Sequence, residues 1–211
     1  MIGPSSSHTA GAVRMGRVAW KILGEEAALA NIGLVGSFAM TYRGHGTDKA
    51  LIAGILGMKP DDERIPHSLE LAKKAGLEYS FDTSIAIPGA HPNTAVIDLV
   101  GVNGAKCTVE GVSVGGGNIQ ITKLNGMAAA FNGSTDTLII AHNDRAGAIA
   151  KVTDKLAQLN VNIGSFHLSR PKRNELAIMT IELDTSIEKH VVNELRELEH
   201  IISVVYMHPS H

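Results

Sequence analysis

Thr94-Ala95-Val96-Ile97-Asp98-Leu99-Val100-Gly101-Val102-Asn103-Gly104-Ala105-Lys106-Cys107-Thr108-Val109-Glu110-Gly111-Val112-Ser113-Val114 is the stretch whose reading decides the fold. Two runs rich in β-branched residues, 94–102 and 105–114, flank Asn103-Gly104, the dipeptide of a type I′ hairpin turn. A hairpin makes its strands antiparallel, and the patterns at 78–83 and 118–124 extend the same sheet. Upstream, Val13, Val18, Ala19, Ile22 and Leu23 share a helical face over 10–23, and Gly24 is a stop. Residues 31–38 read as a buried strand. Thr47-Asp48 is expected to cap a helix over 50–56, and Pro66 to open one over 69–75 that Gly76 closes. The first part of the chain is therefore expected to be α+β with a largely antiparallel sheet.

Phe131-Asn132-Gly133-Ser134-Thr135 is a polar, glycine-containing joint, and the pattern changes after it. Strand patterns at 137–141, 162–169, 175–183 and 201–207 alternate with helical patterns at 148–159 and 188–198. The order βαββαβ is the ferredoxin-like unit. Two domains are expected, 1–132 and 133–211.

Composition narrows the partners. A net charge of −2 over 211 residues gives no electrostatic reason to expect nucleic acid or an anionic membrane. No apolar run approaches the ~20 residues that span a bilayer, and Met1-Ile2 leads into polar residues instead of a signal-peptide core. A cytoplasmic protein is expected. The single cysteine, Cys107, excludes an internal disulfide, a paired-cysteine zinc site and a thiolate-held cluster within this chain. Its alternating strand context reads as a small buried hydrophobe.

Four clusters join glycine or proline to side chains that can handle a small polar ligand. The first is Ser5-Ser6-Ser7-His8-Thr9, where a loop enters a helix. Unpaired N–H groups and the positive end of the helix dipole make such a place suited to a carboxylate or phosphate. The second runs from Gly36 to Asp48 and holds His45 between Gly44 and Gly46; the third is His91-Pro92-Asn93-Thr94; the fourth is Ser113-Val114-Gly115-Gly116-Gly117-Asn118. Histidine changes charge near neutral pH, which suits proton transfer. The other histidines (His67, His190, His200, His208 and His211 among them) have no such setting, and the spacing lacks the i,i+4 zinc pattern.

Gly111-Val112-Ser113-Val114-Gly115 also matches the G-x-S-x-G nucleophile elbow, but that motif needs a strand turning into a helix. Residues 118–122 continue as a strand, which argues against a serine hydrolase.

Together and in this order, the four clusters resemble the beta chain of the iron–sulfur-dependent L-serine dehydratases, over nearly the whole sequence. The resemblance implies an N-terminal unit of the allosteric substrate-binding type and an enzyme that deaminates L-serine to pyruvate and ammonia without pyridoxal phosphate. It also implies a 4Fe-4S cluster held by a partner alpha subunit, so that this chain is silent alone. The shared site would take its carboxylate grip from Ser5, Ser6, Ser7, His8 and Thr9, with His45, His91 and Asn93 facing substrate and cluster. His45 is the expected base, with His91 second. Family members carry a short segment ahead of this stretch, and without it the loop is expected to stay mobile until a partner docks.

His142-Asn143-Asp144-Arg145-Ala146-Gly147 with Val161-Asn162-Ile163 resembles the ACT domain over Thr137 to Met207. The resemblance implies a homodimer through this domain, with His142, Asp144 and Asn162 at the positions that line an effector pocket. Serine-sensing members often carry Asn where Asp144 stands, and an ionised Asp accepts hydrogen bonds only. A purely structural pairing module is the alternative here. For the whole chain, the alternative is a non-catalytic sensor of amino acids or anions.

Overall fold

The first helix begins earlier than its spacing indicates: α1 spans Ser6–Leu23, with Gly24 (φ +77) ending it. The computed structural model describes residues 6–209, with side chains from residue 9 onward. The chain divides into two units between Gly126 and Met127, so the division precedes the polar joint at 131–135.

In the first unit, β1 (Ala27–Leu34), β2 (Glu78–Asp82), β3 (Thr94–Gly101), β4 (Lys106–Gly115) and β5 (Asn118–Leu124) lie in the order β2-β1-β3-β4-β5. The β1–β2 pair is parallel and the others are antiparallel. β1 starts and ends before the strand expected at 31–38. Ala27-Ala28-Leu29-Ala30 has helical propensity, which pairing with β3 overrides. At its far end Gly36 (φ +58) breaks the strand, and Ser37 and Phe38 enter the short helix α2 (Ser37–Thr41).

The β3–β4 turn differs from the type I′ turn expected. Gly104 alone has positive φ (+89), and Gly104 N–H donates to Gly101 O at 3.0 Å. This is the three-residue loop in which a glycine in the left-handed region follows a tight turn. Glu25 holds it: its carboxylate accepts the N–H groups of Asn103 and Ala105 and the Asn103 side-chain amide. The paired positive φ values of a type I′ turn occur at Asn125 (+49) and Gly126 (+78), leading into a strand absent from the sequence reading, β6 (Met127–Phe131).

Helix α3 (Thr47–Ile55) crosses α1 at glycine on both sides. A Cβ on Gly16 would stand 2.3 Å from Leu51 O, and one on Gly54 would stand 2.1 Å from Val13 O. α1 also packs on β3, β4 and β5, burying Ala12, Val13, Met15 and Ala19 against Ile97, Val109, Ile119 and Ile121. Each large aliphatic side chain so buried contributes about 1.5–3 kcal/mol. A one-turn helix at Ile65–His67 leads into α4 (Ser68–Lys74).

In the second unit, β7 (Asp136–Asn143), α5 (Ala148–Gln158), β8 (Ile163–Ser169), β9 (Leu176–Leu183), α6 (Lys189–Arg196) and β10 (Ile201–Met207) follow the βαββαβ order. Their sheet order, β10-β7-β9-β8, is antiparallel throughout, as the ferredoxin-like unit requires. Leu138, Ile140, Met179 and Ile181 alternate inward beneath Val152, Leu156, Val191 and Leu195 of the two helices. β6 packs against β8 and β9. Among the described residues no helix is long and apolar enough to cross a membrane.

Candidate functional site

The four clusters of the first unit are joined by backbone hydrogen bonds and glycine contacts. Ser113 N–H donates to Asn93 O at 3.0 Å, tying the fourth cluster to the third. Phe38 N–H donates to Pro92 O at 3.2 Å, and Val35 N–H to Thr94 O at 3.1 Å, tying the third to the second. Gly36 permits this approach, since a Cβ there would stand 2.7 Å from Pro92 Cα. α1 closes the chain of contacts: Arg14 Nη1 donates to Gly117 O at 2.9 Å, and a Cβ on Gly11 would stand 2.4 Å from Ser113 Oγ.

Each element fixes its residues for a local reason. Gly115, Gly116 and Gly117 all have positive φ (+99, +61, +81), so the β4–β5 turn folds in a way that side chains oppose. Ser113 is fully buried in a strand that continues into this turn, which removes the nucleophile-elbow reading. At the third cluster, Thr94 N–H and Oγ1 both donate to His91 O, at 3.1 and 2.7 Å. Asn93 N–H donates to His91 Nδ1 at 3.1 Å. An accepting Nδ1 leaves the proton of the neutral ring on Nε2.

His45 sits on the link between α2 and α3, half-buried, with its N–H on Thr41 O at 2.9 Å. Only one of its flanking glycines is in the left-handed region: Gly46 (φ +70). Gly46 is also the residue that caps α3; Thr47 and Asp48, expected as the cap, lie inside the first helical turn with no capping side-chain bond. Asp48 is buried, and burial pushes its carboxyl pKa up against the opposing pull of the Lys49 N–H.

Of the remaining candidates in the first unit, Ser5 lies outside the described residues, and Ser6, Ser7 and His8 form the first turn of α1 with side chains outside them. The serine run is thus largely helix, not the loop before it. Four buried polar atoms at this site lack a hydrogen-bond partner among the described residues: Thr9 Oγ1, Arg14 Nε, Thr47 Oγ1 and Asn93 Oδ1. Buried polar groups are nearly always satisfied, so this concentration suits a polar ligand. Thr47 stands in the second cluster but is expected there only as a helix cap, and Arg14 is not among the expected site residues; the signal for Arg14 is its place one turn after Ala10 on a helix otherwise considered only for apolar spacing.

Two of the three second-unit candidates, Asp144 and Asn162, are engaged by neighbouring residues. Asp144 Oδ2 accepts Asn174 N–H at 2.9 Å and faces Arg170 at 3.4 Å, which holds its carboxyl below the usual range. Asn162 Nδ2 donates to Asp184 at 2.5 Å. His142 is buried, with Nδ1 3.0 Å from Asn143 O and Nε2 without a hydrogen-bond partner among the described residues.

Cys107 does not fit a cluster ligand. It is buried with Sγ 3.6 Å from Ala19 O, and burial pushes its pKa up to about 12, away from the thiolate that binds iron. No group of three or more His, Cys, Asp or Glu among the described residues is arranged to hold a metal.

The first unit is thus a mixed α+β domain, followed by a ferredoxin-like one. A model of the serine dehydratase beta chain family matches residues 1–123, and one of the ACT domain matches residues 136–200. The chain is 44% identical over 204 residues to the probable L-serine dehydratase, beta chain, of Bacillus subtilis (strain 168), spanning 97% of this chain and 92% of that one. It is 38% identical over 207 residues to the L-serine dehydratase, beta chain, of Peptoniphilus asaccharolyticus, spanning 98% and 93%. It is also 26% identical over 159 residues to the D-3-phosphoglycerate dehydrogenase of Bacillus subtilis (strain 168), spanning 74% of this chain and 30% of that enzyme. The chain belongs to the serine dehydratase beta chain family, and its second unit is an ACT domain.

Proposed function

We propose that this chain is the beta subunit of an iron–sulfur-dependent L-serine dehydratase, cytoplasmic, active only with an alpha subunit and paired with a second copy through its ACT domain. The observation that carries this reading is the linking of the four clusters by backbone hydrogen bonds and glycine contacts, with buried polar atoms of Thr9, Thr47 and Asn93 that lack a hydrogen-bond partner among the described residues. Family membership over nearly the full chain supports it.

The reaction divides between the two chains. The 4Fe-4S cluster of the alpha subunit supplies Lewis-acid chemistry at the substrate hydroxyl, a poor leaving group. This chain binds and orients. Ser5, Ser6, Ser7, His8 and Thr9 receive the carboxylate on hydroxyl and N–H donors, together with the Asn93 amide. His45 takes the α-proton. His91 is held with its proton on Nε2 by the Asn93 N–H, so it donates to substrate and does not act as the base. Loss of the α-proton and of the hydroxyl gives 2-aminoacrylate, which tautomerises to an imine and hydrolyses to pyruvate and ammonia.

In the ACT domain, the bonds already made by Asp144 and Asn162 favour structural pairing over effector binding. Anaerobic co-expression with the alpha chain tests the whole reading. Brown protein that releases pyruvate from L-serine is expected. A cluster-loaded pair that binds L-serine but releases no pyruvate would leave the sensor alternative.

A further inference from the structure

Arg14 is half-buried on α1, one turn after Ala10, and makes no ion pair among the described residues. Its Nη1 is fixed on Gly117 O at 2.9 Å, a neutral acceptor, and its Nε is buried without a hydrogen-bond partner among the described residues. A guanidinium removed from water gains from a counter-charge. The buried carboxylate of this unit, Asp48, interacts with Lys49 and Arg43. The turn holding Nη1 is built of three left-handed glycines, and a Cβ on Gly117 would stand 3.2 Å from Ala10 Cβ, so Arg14 is pinned beside the first turn of α1.

From this placement we infer that Arg14 is a substrate-binding cation: its remaining N–H groups carry the positive charge that balances the carboxylate of the amino acid. The inference rests on the dehydratase reading for the identity of the substrate, and deepens it by adding a charge to a grip otherwise made of neutral donors. Gly117 O orients the guanidinium edge, and the substrate carboxylate completes its hydrogen bonding. Arginine suits such a role because its planar fork matches a carboxylate.

The test uses the reconstituted two-chain enzyme with Arg14→Gln and Arg14→Lys, after thermal melting establishes folding. Two fragments of L-serine serve as competitors: 3-hydroxypropanoate, which keeps the carboxylate, and ethanolamine, which lacks it. Calorimetry gives their Kd with or without turnover. Arg14→Gln is expected to weaken 3-hydroxypropanoate binding and raise the KM for L-serine about 10- to 100-fold, as loss of a charge-assisted hydrogen bond does, while ethanolamine is unaffected. Arg14→Lys, which keeps the charge without the planar fork, is expected to recover part of this loss. Equal weakening of both competitors, or unchanged 3-hydroxypropanoate binding, would overturn the inference and leave Arg14 as a strut for the turn. Should Arg14→Gln fail to fold, side-chain NMR of the arginines in the wild-type pair decides: the Arg14 resonance shifts with 3-hydroxypropanoate and not with ethanolamine, and the absence of that difference overturns the inference. A wild-type pair that binds 3-hydroxypropanoate through Arg14 yet releases no pyruvate would sink the dehydratase reading alone.

Discussion

His91 accepts the N–H of Asn93, two residues on, through its own Nδ1 at 3.1 Å, so one short turn sets both the ring orientation and the ring tautomer. A base must present an unprotonated nitrogen, and the free nitrogen here carries the proton. His91→Gln in the reconstituted pair is therefore expected to lower kcat/KM by about tenfold while its acid limb, the rise in rate as the base deprotonates, stays in place. Loss of that limb would make His91 the base.

Gly16 and Gly54 let α1 and α3 cross with backbone against backbone. Gly16→Ala or Gly54→Ala puts a methyl within 2.1–2.3 Å of a carbonyl oxygen, where no flexible side chain can yield. Overpacking of this kind costs about 1–3 kcal/mol or more. Denaturant unfolding is expected to show the loss with either variant, and wild-type stability in both would contradict the crossing.

Asp48 is a buried carboxylate whose folded pKa is raised, chiefly by desolvation. Between its unfolded value and that raised value the native state binds more protons, so stability falls as pH rises through the window. Asp48→Asn removes the cost of the ionised form. Its melting temperature is expected to match wild type in acid below the window and to exceed it above. A pH-independent difference would show that desolvation of the charge is not the cause.

Asp144 stabilises the β8–β9 turn through Asn174 N–H and, secondarily, Arg170. Its lowered pKa means this contribution is present above the unfolded carboxylate value and lost as pH falls through the folded one. Asp144→Ala is expected to lower the melting temperature modestly at neutral pH and leave the dependence of turnover on L-serine unchanged. An altered dependence would point to effector binding instead.

Local signals carried much of the fold. Gly24 ended α1, Gly76 followed α4, and the alternation through 94–124 marked three strands, because each depends on neighbours in sequence. Two Asn-Gly pairs looked alike, yet only Asn125-Gly126 has both residues at positive φ; the Glu25 carboxylate, remote in sequence, stabilises the other loop. The start of β1 is not legible in sequence because Ala27–Ala30 has no strand propensity of its own and is held extended by pairing with β3. The contents of the clusters were legible from residue type, whereas the Gly36–Pro92 and Arg14–Gly117 contacts were not, since periodicity does not say which surfaces meet. The offset of Thr47-Asp48 from the cap position followed from the left-handed Gly46 taking that place.

The assignment of the base is tested most directly by the rate of pyruvate release from the anaerobically reconstituted pair carrying His45→Ala, with its cluster absorption recorded on the same sample. Turnover is expected to fall about a hundredfold or more while the cluster spectrum matches wild type. Near-normal turnover with an intact cluster would contradict the assignment of the α-proton to this chain's His45.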